Sequence, residues 1–217
     1  MILDRKKKYL QVALNSTLSE AAEIIRTLPQ SDRIILEAGT PLVKHYGIEA
    51  IRFIKNLRPQ SYVVADLKTM DRGETEVILA KQGGASGIIA LGQAPVETIN
   101  AFIESCQKYG LDSMVDMMNV EHPIKILRKL KKQPNVVLLH RGVDEETYNR
   151  DKPIPFIQIN KVRASYDVLI SIAGGDTIRE VQRAIFNDAN IVVVWKDFYQ
   201  HSTLTSQVAE EFLKVIK

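Results

Sequence analysis

The sequence predicts a single-domain (β/α)8 barrel, the TIM-barrel architecture, spanning residues 1–217 with a basic segment at residues 1–8. Three observations support this fold class. Eight short apolar segments each precede a segment with helical spacing. Most of these apolar segments are continuous β-branched runs, which are typical of parallel strands buried on both faces. The length of 217 residues also suits one such barrel. An open, doubly wound parallel sheet is the alternative architecture.

The first four strand–helix units are marked by apolar runs and by helix-ending residues. Strands are expected at residues 9–14, 33–37, 62–66 and 87–91. Helices are expected at residues 19–28, 42–57, 74–82 and 95–109, with an interruption at Gly47. Pro29 ends the first helix, and Gly83 and Gly110 follow the third and fourth, because proline and glycine favour positions just past a helix.

The last four units follow the same pattern, with one broken connection. Strands are expected at residues 113–116, 136–140, 168–173 and 191–194. Helices are expected at residues 122–132, 144–150 with 157–164, 177–186 and 203–217. Pro153 and Pro155 interrupt the connection between its two helical parts. Cations at Lys129, Lys131 and Lys132 are expected to oppose the negative end of the helix dipole.

The composition argues against a nucleic-acid-binding, a disulfide-bonded and a membrane-spanning protein. The formal net charge of +3 is too small to indicate a nucleic-acid partner, and the run at residues 5–8 is interpreted as a solvated terminal segment. Cys106 is the one cysteine, which excludes an intramolecular disulfide and suits a reducing compartment. No apolar run approaches the roughly 18 residues that a membrane span requires. We therefore expect a cytoplasmic protein.

Polar residues collect where the predicted strands end. In a barrel of this type, the active site lies at the carboxyl ends of the strands. The residues at those ends are Asn15, Glu37, Asp66 with Lys68, Asp116 with Asn119, His140, Gly174 with Gly175, and Lys196. The strands are otherwise apolar, so this polar rim is the main evidence for an active site.

The acids of the rim are candidates for a magnesium site. Glu37 and Asp66 come from adjacent strands, and Mg²⁺ commonly takes one or two carboxylates with waters. The alternative is an ion pair of Glu37 with Lys68 and no metal, and spacing alone does not separate the two. Lys68 lies between Asp66 and Asp71 and should stay protonated, which suits it to stabilising negative charge on a substrate.

Three further rim positions each allow two interpretations. His140 can transfer a proton at neutral pH, or it is a hydrogen-bonded core imidazole. Gly174 and Gly175 form either a phosphate-binding turn, as barrels commonly have after strand 7, or a plain tight turn. Lys196 is either the countercharge for that phosphate or a surface lysine beside Trp195.

The motifs resemble those of a known family across nearly the whole chain. They are LQVAL at 10–14, EAGTPL at 37–42, ADLKTMD at 65–71, VD at 115–116, His140 and IAGG at 172–175. This pattern is similar to the archaeal 3-hexulose-6-phosphate synthase branch of the orotidine 5'-monophosphate decarboxylase superfamily. The resemblance implies an aldol condensation of formaldehyde with D-ribulose 5-phosphate in a (β/α)8 barrel.

The resemblance also implies roles for individual residues. It implies a homodimer with active sites at the interface, where Asp71 reaches the partner's site. Mg²⁺ would be held by Glu37 and Asp66, Lys68 would lie near the reacting oxygens, and His140 would transfer the proton. Phosphate would be bound after the seventh and eighth strands by Gly174, Gly175 and Lys196. Substrate hydroxyls would be recognised at the end of the first strand by Asn15. Fusion or association with a formaldehyde-activating domain is a further implication.

Two departures from the family pattern and two alternatives stay open. The first strand ends in Asn15 where the superfamily usually has aspartate, and Trp195-Lys196 replaces a common Gly-Arg pair. Lysine is a point charge without the bidentate fork of arginine. The alternative functions are the sister 3-keto-L-gulonate-6-phosphate decarboxylase and a non-catalytic sugar-phosphate-binding barrel.

Overall fold

Eight parallel strands close into one barrel in a computed structural model that describes residues 2–149, 151, 153–174, 177–195 and 205–216. Each strand pairs with its neighbours in sequence, and β8 pairs with β1. The strands are β1 Tyr9–Leu14, β2 Ile34–Ala38, β3 Tyr62–Thr69, β4 Gly87–Leu91, β5 Asp112–Asp116, β6 Val136–His140, β7 Leu169–Ala173 and β8 Ile191–Val194. The predicted barrel is confirmed, and the open sheet is excluded.

Helices follow the strands around the outside of the barrel. They are α1 Leu18–Thr27, α2 Thr40–Tyr46, α3 Ile48–Leu57, α4 Gly73–Gly83, α5 Val96–Tyr109, α6 Pro123–Leu127, α7 Val143–Tyr148, α8 Phe156–Arg163, α9 Ile178–Phe186 and α10 Thr205–Val215. The interruption expected at Gly47 is confirmed, since this residue has φ +62° and separates α2 from α3. Within the described residues, no helix has both the length and the apolar composition that crossing a membrane requires.

Two predicted element ends differ from the structure by three residues or more. The helix expected at residues 122–132 is only α6, five residues long, because the chain then turns so that the amide of Lys131 donates to Asn100 of α5 at 2.9 Å. The three lysines near residue 130 therefore lie beyond the helix. Strand β3 continues to Thr69, three residues past its expected end, and its register with β4 shifts between Ala65 and Thr69.

Apolar side chains fill both the shell between strands and helices and the inside of the barrel. The inner cluster includes Leu3 and Tyr9, which lie at the amino ends of the strands. The buried carboxylate of Asp112 accepts hydrogen bonds from the amides of Ile2 and Leu3 and from the hydroxyl of Tyr62, all at 2.9 Å. We call this end of the barrel the floor, and apolar side chains and the Asp112 hydrogen bonds fill it.

The single cysteine is packed into the outer shell. Cys106 lies on α5 and is fully buried, as expected of an inert thiol. Burial, together with the charge of Asp112, raises the pKa of this thiol well above its usual range. The thiolate form that reacts with electrophiles is therefore disfavoured.

Candidate active site

A cavity of about 760 Å³ opens at the carboxyl ends of the strands. Six of the predicted site residues line it: Asn15, Glu37, Asp66, Lys68, His140 and Gly174. Asp71 is exposed in the turn after β3 and is not among the described residues that line the cavity. Gly175 and Lys196 lie outside the described residues. Most of the described residues that the sequence placed at strand ends therefore line one cavity.

Asp116, at the end of β5, joins two of the candidate catalytic side chains. Its Oδ2 atom lies 3.0 Å from Nζ of Lys68 and 2.8 Å from Nδ1 of His140, and Oδ1 accepts from the amide of Met118. The side chain is fully buried. Burial would raise the pKa of Asp116, but the charges and hydrogen bonds of His140 and Lys68 outweigh burial and lower that pKa. The sequence placed Asp116 on the rim but assigned it no role.

Lys68 is held by two carboxylates. Its Nζ atom lies 3.0 Å from Oδ2 of Asp66 and 3.0 Å from Oδ2 of Asp116. Burial alone would lower the pKa of Lys68, but the charges of these two acids raise it above its usual range. The expectation of a protonated lysine is therefore supported, although its second partner is Asp116 rather than Asp71.

The backbone at Lys68 is unusual for a lysine. Its φ of +47° lies in the left-handed region, which costs a non-glycine residue about 1–3 kcal/mol. Lys68 lies within the register shift between β3 and β4, and its two ion pairs hold its side chain. Among the described contacts, Lys68 makes no ion pair with Glu37, so that alternative from the sequence is not supported.

Glu37 points into the barrel beside the Lys68 cluster, with 5% of its surface exposed. Its Oε2 atom accepts a 2.5 Å hydrogen bond from Nε2 of Gln11. Burial first, and then the charge of Asp66, raises the pKa of Glu37 to about 7. Glu37 is thus a buried carboxyl group whose charged form is disfavoured by burial and by the neighbouring charge of Asp66.

The donor set at this position suits a hard cation. In the described part of the chain, no group of three or more histidine, cysteine, aspartate or glutamate side chains is arranged to hold a metal. Mg²⁺, however, commonly uses only one or two protein carboxylates and retains several waters. Glu37 and Asp66 come from the adjacent strands β2 and β3 and both line the cavity. Thr40 also donates to Asp66, at 2.6 Å, and orients its carboxylate.

His140 is oriented by its bond to Asp116. A carboxylate only accepts hydrogen bonds, so in the neutral imidazole the hydrogen must lie on Nδ1. The lone pair is then on Nε2, which can accept a proton. The side chain is 16% exposed and lines the cavity, so His140 is not a fully enclosed core imidazole.

Arg141 is a cavity residue that the sequence analysis did not identify. Its Nη2 atom donates to the carbonyl of Gly174 at 2.8 Å, and its side chain lies 3.9 Å from Glu146 of α7. Gly174 has φ +96°, and a β-carbon there would collide with the carbonyl of Arg141. A glycine is therefore required, and the arginine holds the turn after β7 in place. The sequence signal that could have identified Arg141 was its position as a cation directly after His140, the last residue of β6.

The fold and this arrangement define a class of protein. A parallel barrel with a buried lysine between two acids, a histidine on one of them and a cavity at the carboxyl-end rim has the arrangement of a (β/α)8-barrel enzyme active site. More specifically, the chain belongs to the orotidine 5'-phosphate decarboxylase / HUMPS family, whose model matches residues 8–209.

Individual relatives show the same relationship. The chain is 35% identical over 213 residues to the bifunctional enzyme Fae/Hps of Methanocella arvoryzae, covering 96% of this chain and 53% of that protein. It is 42% identical over 187 residues to the Fae/Hps enzyme of Methanocaldococcus jannaschii, covering 86% and 46%. The chain thus spans about half the length of these relatives. The 3-hexulose-6-phosphate synthase structure from Salmonella typhimurium matches with TM-score 0.86 and 27% identity, covering 96% of this chain and 98% of that one.

Proposed function

We propose that this chain is a 3-hexulose-6-phosphate synthase, which reversibly condenses formaldehyde with D-ribulose 5-phosphate to D-arabino-3-hexulose 6-phosphate. The observation that carries the proposal is the connected chain Asp66–Lys68–Asp116–His140 at the rim cavity. It supplies a fixed cation beside an oriented base, which is what forming and stabilising an enediolate requires. The similarity to the Fae/Hps enzymes and to a 3-hexulose-6-phosphate synthase supports the same activity.

The first step is removal of a proton from C1 of ribulose 5-phosphate. Nε2 of His140 accepts this proton, because Nδ1 is committed to Asp116. The electron pair of the C–H bond moves into the C1–C2 bond, and the ketone oxygen becomes negative. Asp116 stabilises the imidazolium that forms, since its charge lies 2.8 Å from the ring.

Lys68 stabilises the negative enediolate without giving up its own proton. Its raised pKa keeps it charged, and its two acids keep the ammonium fixed at the cavity surface. Fixed charge in a partly buried site stabilises a developing oxyanion more than mobile water does. We assign Mg²⁺ to Glu37 and Asp66, where it would polarise the substrate's oxygens as a Lewis acid.

The second step forms the carbon–carbon bond. The electron pair of the enediolate C1–C2 double bond forms the new bond from C1 to the carbon of formaldehyde, and the C2 ketone re-forms. The formaldehyde C=O double bond opens to an alkoxide. The imidazolium of His140 returns the proton to this oxygen, which regenerates the neutral base. In the opposite direction, the same residues release formaldehyde from the hexulose phosphate.

Recognition of the sugar phosphate is assigned to the opposite side of the cavity. Gly174 follows β7, where barrels commonly bind phosphate, and Arg141, which follows β6, donates to the carbonyl of Gly174 and lines the same cavity. Gly175 and Lys196 remain part of the proposed phosphate site, and Asn15 is proposed to contact a substrate hydroxyl. All of these assignments are proposals from position and chemistry.

We further propose a homodimer in which Asp71 completes the partner's site. Asp71 is exposed next to Met70, whose apolar side chain is 45% exposed, so the turn after β3 suits a protein contact. A cytoplasmic location is proposed from the buried free thiol of Cys106. Fusion to, or association with, a formaldehyde-activating domain is proposed because the matched relatives are bifunctional.

The test follows formaldehyde-dependent consumption of ribulose 5-phosphate with Mg²⁺ and again after treatment with EDTA. Release of CO2 from 3-keto-L-gulonate 6-phosphate is measured in parallel, because the sister decarboxylase would pass through a similar enediolate. Formaldehyde fixation that depends on the metal is the expected result. Preferential CO2 release would favour the decarboxylase, and the absence of both reactions would favour a binding protein.

The proton-transfer step has its own test. Exchange of the C1 hydrogen of ribulose 5-phosphate in D2O, without formaldehyde, isolates enediolate formation and can be followed by NMR. His140→Asn should slow exchange by about 10²-fold or more, the usual contribution of a general base. His122→Asn is the matched control, since His122 is half exposed outside the cavity. Equal loss in both variants, or none in His140→Asn, would exclude His140 as the base.

A further inference from the structure

Two polar side chains lie inside the barrel below the rim. Gln11 is on β1 and is 1% exposed; Ser171 is on β7 and is 2% exposed. The residues two positions away on either side belong to the inner cluster, namely Tyr9 and Ala13 on β1 and Leu169 and Ala173 on β7. Side chains alternate along a strand, so Gln11 and Ser171 also point inward.

Both side chains carry an unpaired polar atom. Among the described residues, Oε1 of Gln11 and Oγ of Ser171 have no hydrogen-bond partner. Buried polar groups in proteins are nearly always paired, and an unpaired one is costly. The other amide atom of Gln11, Nε2, is already used on Glu37.

The strand register places Gln11 and Ser171 at the same level along the barrel axis. Ser171 pairs with Ile191 of β8, and Ile191 pairs with Tyr9 of β1. An eight-stranded barrel of this type shears by about one residue per strand, so the residue level with Ser171 lies about two positions beyond Tyr9. That residue is Gln11. Inward residues of alternate strands form one layer, and β1 and β7 are successive contributors to it.

We propose that a water molecule is bound inside the barrel between Oε1 of Gln11 and Oγ of Ser171, and that it makes Gln11 a positioning residue for Glu37. The two side chains do not bond each other directly, yet they share a layer. A water donates to the amide oxygen and bonds the hydroxyl, which satisfies both groups. Buried waters typically make about three such bonds.

The water fixes which way round the amide of Gln11 lies. A reversed amide would place its oxygen against the carboxylate of Glu37, and both atoms are acceptors. With the oxygen engaged by the water, Nε2 faces Glu37 and holds that carboxylate towards the cavity. The consequence for catalysis rests on the proposed function, whereas the water itself does not.

The direct test is a crystal structure of the full chain at about 1.5 Å resolution. We expect density for one water within hydrogen-bond distance of both Oε1 of Gln11 and Oγ of Ser171. A dry contact between the two side chains, or an empty apolar gap, would overturn the proposal. This result is independent of any enzymatic activity.

Variants provide a second test that does not depend on crystals. Ser171→Ala should lower the melting temperature, because it removes a hydrogen-bond partner of the water. If no water were bound, the Ser171 hydroxyl would be unpaired, and removing it would raise the melting temperature. Met114→Leu is the matched control, since Met114 lies on β5 in the same inner cluster and carries no hydrogen-bonding role here. A rise in melting temperature for Ser171→Ala would refute the bound water.

Coupling between the two residues tests the positioning role. Gln11→Leu should reduce formaldehyde fixation by about 10-fold or more, as loss of an orienting partner commonly does. Ser171→Ala should cause a smaller loss, and the double variant should resemble Gln11→Leu alone, because both act through one water. Additive losses would exclude the shared water. If the wild type fixes no formaldehyde, the proposed function fails, while the density and melting temperatures still decide the water.

Discussion

Glu37 should make the stability of the metal-free protein fall as pH rises, which is the reverse of the behaviour of a typical salt-bridged acid. Its pKa is about 7 in the folded protein, against an ordinary value of 4.5. Between these two pH values, the folded state keeps a proton that the unfolded state releases. The free energy of unfolding therefore decreases from about pH 4.5 to about pH 7 and is lowered fully above that range.

The magnitude follows from the pKa difference. One pKa unit corresponds to about 1.4 kcal/mol, so Glu37 should lower the free energy of unfolding by about 3 kcal/mol at pH 8 relative to pH 4. Glu37→Gln keeps an acceptor for Gln11 but has no charge, so it should lack this contribution. Taking the difference between wild type and Glu37→Gln at each pH cancels the other titrating groups.

The assay is urea unfolding in EDTA at pH values from 5 to 8, for wild type and Glu37→Gln. The difference between the two curves should grow by about 2.5 kcal/mol across this range, since part of the Glu37 contribution is already lost at pH 5. Mg²⁺ added at pH 8 should restore stability to the wild type and have little effect on Glu37→Gln, because binding to the folded state stabilises it. A pH-independent difference would refute the raised pKa, and equal Mg²⁺ stabilisation of both proteins would remove Glu37 from the metal site.

Three other substitutions test the remaining parts of the site and the floor. Lys68→Met should abolish formaldehyde fixation and lower the free energy of unfolding by about 3 kcal/mol, because Asp116 loses a buried partner. Lys81→Met, at an exposed position of α4, is the control, and retained turnover in Lys68→Met would contradict the mechanism. Arg141→Met should raise KM for ribulose 5-phosphate roughly tenfold and weaken inhibition by inorganic phosphate, with kcat little changed. If inhibition by inorganic phosphate were unchanged, Arg141 would have no role in binding phosphate. Asp112→Asn should lower the free energy of unfolding by about 2 kcal/mol in urea titrations while leaving kcat intact, and an unaltered unfolding curve would show that the floor bonds contribute nothing.

The barrel itself was readable from the sequence because its signal is repeated eight times. Continuous apolar runs and helix-ending glycines recur, so one misplaced boundary does not change the fold class. The boundaries that failed were set by tertiary contacts. The end of α6 depends on the bond of Lys131 to Asn100, and the length of β3 depends on a register shift with β4. Local sequence carries no signal for either contact.

The candidate site was predictable as a set of positions but not as a set of bonds. Strand ends placed Glu37, Asp66, Lys68 and His140 on one rim, and these residues line one cavity. The sequence could not show that Asp116 connects Lys68 with His140, because that depends on where three separate strands place their side chains. Proximity along the chain instead suggested Asp71, which lies in the turn beyond the strand.

The filled floor constrains how a second catalytic unit could cooperate with this barrel. Hydrogen bonds to Asp112 hold the amides of residues 2 and 3 at the floor of the barrel. A polypeptide attached ahead of them would therefore emerge at the end of the barrel opposite the rim cavity. Leu3 and Tyr9 belong to the cluster of buried side chains that fills the inside of the barrel. An aldehyde generated by such a neighbour would have to diffuse around the outside, so physical linkage would raise its local concentration without channelling it.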